Sequence, residues 1–277
     1  MTRPTAIALS AFLAATVPAA AEMRQLIDPV AGHPGRTWYD LTKIIVPDLT
    51  AEGAGSEAVA LRYVEDLGDS DEDPRPEGPF IIRSVDASTL EAEGRRLTVL
   101  SADLGPADGW AAKVEALAVF DEGLNLLDAI NVGQDSFNGI RGNPIRISAR
   151  DQALLTYSEH FNSNQTYGSY ALLMIRDGQW QTIDTISTLS DRWCGHERTQ
   201  SLNAASSESG PGYWPITVTV TDTQHSSEAD DECGGEANGP EFDKTYAVTY
   251  TWSASMGLYV ASDHGFAALD EENGDRY

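Results

Sequence analysis

Glu159-His160 closes the apolar run Ala153 to His160 and is the neighbouring pair best placed for acid–base work. An imidazole titrates near pH ~6.5, and a carboxylate partner tunes it for proton transfer. The plainer reading is a histidine at the surface end of a strand. Cys194 and Cys233 are the two cysteines of the chain. An even count in an exported protein predicts one disulfide. The rival is a thiol or metal site built on Cys194-Gly195-His196-Glu197, but C-x-H-E matches no zinc-ligand spacing. Asp69, Asp71 and Asp73 could offer three carboxylates to a hard cation. The glycine and closing glutamate of a calcium loop are missing, so no metal site is expected there. Asp230-Asp231-Glu232 and Asp270-Glu271-Glu272 read as further solvated acidic clusters.

Other reaction classes lack their signatures. The sequence has no G-x-S-x-G elbow. His33, His160, His196, His225 and His264 form no H-x-x-x-H or H-E-x-x-H pattern. No cofactor motif is present, and no cofactor is expected. A glycosidase needs two carboxylates converging in a cleft, and with 43 acidic residues the sequence selects no pair. A sugar-binding face needs exposed aromatics. Trp193, Tyr213, Trp214, Tyr250, Trp252 and Tyr259 gather in the last third of the chain. At strand alternation such residues are core, and Tyr213-Trp214, beside a long polar stretch, is the least core-like pair. Asn164-Gln165-Thr166 is a glycosylation sequon, relevant only in a eukaryotic secretory pathway.

The elements that must position these residues read as strands. Trp38, Leu41, Ile44, Ile45 and Leu49 recur at helical spacing and Pro47 limits the run, so one short helix is expected near the N-terminus. Ala58 to Val64, Phe80 to Val85, Leu97 to Leu100, Pro144 to Ile147 and Ala153 to His160 are short apolar runs between polar, Gly- or Pro-containing stretches. Ile216, Val218 and Val220 alternate with threonines; Tyr246, Val248, Tyr250 and Trp252 alternate with Ala247, Thr249 and Thr251. Both patterns predict half-buried antiparallel strands. Ser201 to Gly212 and Asp222 to Lys244 read as polar loops.

A hairpin is written twice. Glu115 to Phe120 turns at Asp121-Glu122-Gly123 into Leu126-Leu127-Asp128-Ala129-Ile130. Tyr170 to Ile175 turns at Arg176-Asp177-Gly178 into Thr182-Ile183-Asp184-Thr185-Ile186. Ala116, Ala171 and Ala247 fix a register with spacings of 55 and 76 residues. Units of this length suit propeller blades or stacked meanders. On Tyr170 to Ile186, and on Tyr246 to Trp252 followed by Gly257-Leu258-Tyr259-Val260, the chain resembles secreted bacterial proteins with β-propeller-type repeats. The calcium loops of such propellers are not matched, because Asp69-x-Asp71-x-Asp73 is followed by Pro74.

Compartment and charge complete the reading. Arg3, the apolar stretch Ala6 to Val17 and Pro18-Ala19-Ala20-Ala21 form a secretory signal over residues 1–21, with Glu22 as the mature start. The apolar stretch falls short of the ~20 residues that span a bilayer. The expected product is one all-β domain over residues 22–277, exported to the periplasm or outside the cell. With 18 basic against 43 acidic residues, the net charge is −25. Such a surface repels phosphate backbones and anionic lipid, which argues against nucleic acid or membrane partners. Its acidic loops would attract cations weakly. The expected fold is all-β and antiparallel, propeller-like or built of stacked meanders, with a β-sandwich as the alternative. The expected function is non-catalytic binding or a structural role; the alternative is a hydrolase acting on an extracellular polymer through a carboxylate cleft.

Overall fold

A computed structural model describes residues 21–67, 75–106, 113–193, 195–226 and 241–274. In chain order the elements are β1 (Glu22–Gln25), α1 (Trp38–Ile45), β2 (Ala54–Glu57), β3 (Arg62–Tyr63), β4 (Glu77–Ile81), β5 (Ser84–Ala92), β6 (Arg95–Pro106), β7 (Lys113–Phe120), β8 (Leu126–Asn131), β9 (Phe137–Ile140) and β10 (Ile145–Arg146). They continue with β11 (Gln152–Asn162), β12 (Gln165–Arg176), β13 (Gln179–Trp193), β14 (His196–Ser206), β15 (Ile216–Ser226), β16 (Phe242–Ser253), β17 (Leu258–Ala261) and α2 (Ala267–Gly274). The all-β antiparallel class is as expected, and its form is the sandwich-like alternative, two main sheets packed face to face. A six-stranded sheet runs β1-β5-β6-β7-β8-β3, antiparallel except for the β3–β8 pair. A nine-stranded sheet runs β10-β11-β12-β13-β14-β15-β16-β17, with β9 also on β11. No helix among the described residues is long and apolar enough to cross a membrane.

Three cores lie in series. The expected helix is α1, opened by a capping box between Thr37 and Asp40. Its Trp38, Leu41 and Ile45 pack on Val85, Ala87, Leu100, Ala102, Ala116, Ala118 and Phe120, one face of the first sheet. The opposite face presents Leu90, Leu97, Val99, Leu117, Val119 and Ile130. It meets Leu154, Ala171, Leu173, Ile175 and Trp180 of the second sheet. The far face of that sheet carries Leu155, Tyr170, Leu172, Met174 and Ile186, which cluster with Ile216, Val218, Val220, Val248 and Tyr250. β13 touches β17, four places away in pairing order, so the second sheet curls over itself. Phe266 and Leu269 of the C-terminal segment join this third core. β12 is therefore buried on both faces, which is why Tyr170 to Ile175 reads as an unbroken apolar run.

The two like hairpins are β7–β8 and β12–β13, and their likeness reaches the backbone. Each has a register shift that leaves one residue unpaired just before its aspartate: Leu127 before Asp128, and Ile183 before Asp184. In each, the aspartate Oδ1 accepts the N–H of the next residue. Asp177 and Gly178 have φ of 52° and 76°, the conformation a two-residue hairpin turn demands. The hairpins face each other across the sheet–sheet seam, where Asp128 accepts the Trp180 N–H at 2.8 Å.

Some expectations are corrected. Of Ala58 to Val64, only Arg62–Tyr63 forms a strand; Ala58 and Leu61 are buried from irregular backbone, and Val64 from the first residue of a 3-10 turn, Val64–Asp66. Phe80 to Val85 is split between β4 and β5. Ser201 to Ser206, read as loop, is the end of β14, and Asp222 to Ser226 extends β15. These strands carry polar inward faces. The C-terminal helix α2 has no counterpart in the sequence reading. The signal region 1–20, Asp69-Asp71-Asp73, Asp230-Asp231-Glu232, Cys194 and Cys233 lie outside the described residues.

Candidate functional site

Consecutive residues of a strand point to opposite faces, so Glu159 and His160 do not act together. Glu159 lies on the Tyr157 side of β11. Its Oε1 accepts the Tyr170 hydroxyl at 3.1 Å and lies 3.7 Å from Arg141 Nη1. The Arg141 guanidinium in turn sits 5.2 Å from the centre of the Tyr170 ring. His160 lies on the Ser158 side, with Nδ1 3.0 Å from Asp135 Oδ1. Ser158 is no nucleophile for this pair. Its Oγ accepts the N–H groups of Gln134 and Asp135 at 3.1 and 2.6 Å and donates to Asn138 Oδ1 at 2.5 Å. The hydroxyl organises the Gln134–Ser136 segment and its entry into β9, and that segment supplies Asp135 to His160.

The convergent carboxylates lie one layer away. Glu115 of β7 is 4% exposed and accepts a hydrogen bond from Ser101 Oγ. Burial pushes its pKa up to about 8 against the Ser101 bond, and Asp103 and Asp86 raise it further. Burial raises the Asp86 carboxyl as well. The Tyr157 hydroxyl is held above its usual range, first by burial and then by Asp86, Glu159 and Glu115. Gly139 of β9 closes this seam: a Cβ there would lie 3.0 Å from Asp86 Oδ2 and 3.1 Å from Tyr157 Cε1. Glycoside hydrolysis needs a sugar ring between its carboxyls, about 5 to 9 Å apart. Here Glu115 is closed off by the opposing layer, and main chain fills the space beside Asp86.

Tyr213 and Trp214 belong to an aromatic cluster. Tyr213 lies 4.4 Å from Trp252 and 6.0 Å from Tyr259, centre to centre. Arg176 caps the Trp252 ring at 5.1 Å. Trp214 donates its backbone N–H to Ile147 O at 2.6 Å and its indole N–H to Gly210 O at 2.7 Å. Both residues are half-buried and fasten the loop before β15 onto β16 and β17. The acids near Tyr213 are occupied by turns: Asp151 accepts the Glu93 N–H, and Glu93 accepts the Asp177 N–H.

A cavity of about 600 Å³ opens where the β11–β12 turn meets the β13–β14 turn. Its walls are Asn162, Ser163, Asn164, Gln165, Asp191, Arg192, His196, Arg198 and Gln224, all polar. The Asn164 carbonyl accepts the Arg192 N–H at 2.8 Å, which ties the two turns together. His196 Nε2 lies 3.7 Å from Asp191 Oδ1. Arg198 is committed to Asp222 and Glu272, whereas Arg192 has no carboxylate partner among the described residues. The volume falls within the ~300–1,000 Å³ of small-molecule sites.

No protein family, no curated protein and no solved structure matches this chain.

The chemistry therefore rests on this chain's own geometry. Among the described residues no three His, Cys, Asp or Glu side chains are grouped to hold a metal ion. Asp135, Arg141, Glu115 and Arg192 stand outside the residues whose type and spacing pointed to chemistry. A glutamate inside the apolar run Val114 to Phe120 was the one readable signal, because alternation turns Glu115 toward the same side as Leu117 and Val119.

Proposed function

We propose that this is an exported, non-catalytic binding protein whose polar cavity at Arg192 and His196 takes a small hydroxyl-rich or anionic molecule. The cavity at the two turns carries the reading. Its amides can both donate and accept hydrogen bonds, and Arg192 and His196 add donors suited to hydroxyl or carboxylate oxygens. Export rests on the signal-like residues 1–21. The matching bulges and aspartates of β7–β8 and β12–β13 support reading those hairpins as copies of one unit. The hydrolase alternative draws no support from Asp86 and Glu115, whose surroundings leave no room for a sugar ring.

Calorimetric titration of the mature chain with a neutral disaccharide and with a uronate tests the cavity. At least one should bind saturably, and Arg192→Ala should weaken it by about tenfold, the loss of one charge-assisted hydrogen bond. Failure of both ligands, or equal binding by the variant, would count against it. Cys194 and Cys233, which bound a 40-residue loop, are proposed to be joined. In the chain-entropy model that bond contributes about 4 kcal/mol. Reducing agent should lower the melting temperature, and two alkylatable thiols in the untreated protein would refute the bond.

A further inference from the structure

A second groove lies on the α1 side of the first sheet. Two cavities, of about 200 and 360 Å³, adjoin there and share Ala31, Thr89, Arg96 and Thr98 as walls. Arg96 and Thr98 lie on the same side of β6, and Thr89 follows on β5. Arg96 is exposed and has no carboxylate within salt-bridge reach among the described residues. Glu91 lies cross-strand from Arg96 on the same face, yet in a chain of net charge −25 this guanidinium forms no ion pair among the described residues and stays directed to the groove. The neighbouring Arg24 is held by Glu22. The rest of the nearer cavity is apolar, built from Pro29, Val30, Ala87 and Trp38. Trp38 is 5% exposed, and its indole N–H has no acceptor among the described residues. Ser88 also lines the groove, but strand alternation turns the Ser88 hydroxyl away from it, toward the sheet–sheet seam.

We propose that this groove binds a small organic carboxylate, with its carboxyl on Arg96 between the Thr89 and Thr98 hydroxyls and its apolar body over Pro29, Val30 and Trp38. A guanidinium presents paired donors that match a carboxylate, and flanking hydroxyls can fill its remaining lone pairs. A phosphate dianion fits less well. It would meet one open cation with Glu22 and Glu122 at the rim, and the apolar wall would have nothing to cover. The groove shares no residue with the cavity at His196, so the two assignments stand or fall separately.

The test is calorimetric titration of the mature chain with benzoate, with benzamide as its uncharged counterpart, and with inorganic phosphate. Benzoate should bind saturably and benzamide about tenfold more weakly or not at all. Arg96→Gln, at an exposed position that does not threaten folding, should weaken benzoate by about tenfold. Arg96→Lys should fall between. Absence of saturable benzoate binding, equal binding by Arg96→Gln, benzamide binding as well as benzoate, or phosphate binding more tightly than benzoate would each overturn the assignment.

Discussion

Asp222→Ala is expected to cost the fold about 3 to 5 kcal/mol, the range for removing one partner of a buried ion pair. Asp222 is fully buried on β15 and receives Arg198 of β14 through both carboxylate oxygens, with Nε–Oδ1 at 2.8 Å. The Arg198 side chain is 9% exposed. Desolvation works against its charge, but the bonds and charges of Asp222 and Glu272 outweigh that and hold its pKa above the usual value. Without Asp222 the cation stays buried with only half its partners. The loss should spread to α2. Glu272 accepts Arg198 Nη2 at 2.7 Å and Lys244 Nζ at 2.7 Å, and the Tyr246 hydroxyl donates to it as well. Gln200 and Asn273 exchange hydrogen bonds at 2.7 and 3.1 Å beside them. The helix is thus fastened mainly by ionic and amide contacts, with Leu269 as its apolar anchor. Urea unfolding should show the drop, and limited proteolysis should release the C-terminal segment sooner. Replacing Arg198 and Asp222 together by Met and Leu should recover most of the loss, because no charge then remains buried. An Asp222→Ala variant as stable as the parent would show that this network carries no net stability.

That network marks where the sequence stops being legible. β12, β13, β15 and β16 announce themselves through apolar runs or alternation with threonine. β14 does not, because its inward residues include Arg198 and Gln200, and a polar face has the pattern of a loop. The alternation of β15 held the missing clue. Ile216, Val218 and Val220 face inward, and continuing the period puts Asp222 on the same face, where a carboxylate requires a partner. The helix α2 was invisible for a related reason: Ala267 to Gly274 carries four acidic or amide residues and one leucine, so no apolar stripe shows. For the site, the sequence picked out Glu159 and His160. It could not show that Asp135 and Arg141 pair with them, because those contacts depend on β9 lying beside β11. It gave no reason to keep Cys194-Gly195-His196-Glu197 as a site, yet His196 lines the polar cavity, which is built by turns whose pairing only the register reveals.

Raising the pH from about 5 to 9 should weaken the fold through Glu115, and Glu115→Gln should remove that dependence. The sign follows from proton binding. The Glu115 carboxyl titrates near 4.5 when exposed and near 8 when folded, so between those values the native state holds a proton that the unfolded chain releases. Stability falls with rising pH wherever the native state binds more protons. The contribution is fully present below about pH 4.5, is lost progressively up to about pH 8, and is constant beyond. A shift from 4.5 to about 8 corresponds to roughly 4 to 5 kcal/mol at 1.36 kcal/mol per unit. Asp86, raised by its own burial, acts in the same direction. Glu272 acts oppositely. Hydrogen bonds from Lys244 and Tyr246, and then Arg198, hold it down to about 2, so its contribution is lost only on strong acidification. The wild type should therefore be most stable in the mildly acidic range, where Glu115 is still protonated and Glu272 is already ionised. Growing self-repulsion of an acidic surface also weakens the fold at high pH, so the decisive quantity is the difference between variant and wild type. Glu115→Gln keeps an acceptor for the Ser101 hydroxyl and cannot ionise. It should match the wild type near pH 5 and exceed it by several kcal/mol at pH 9 in denaturant unfolding followed across that range. Parallel curves for the two proteins would mean that the seam admits water or a cation on deprotonation, and that the closure of Gly139 over Asp86 does not isolate the acids.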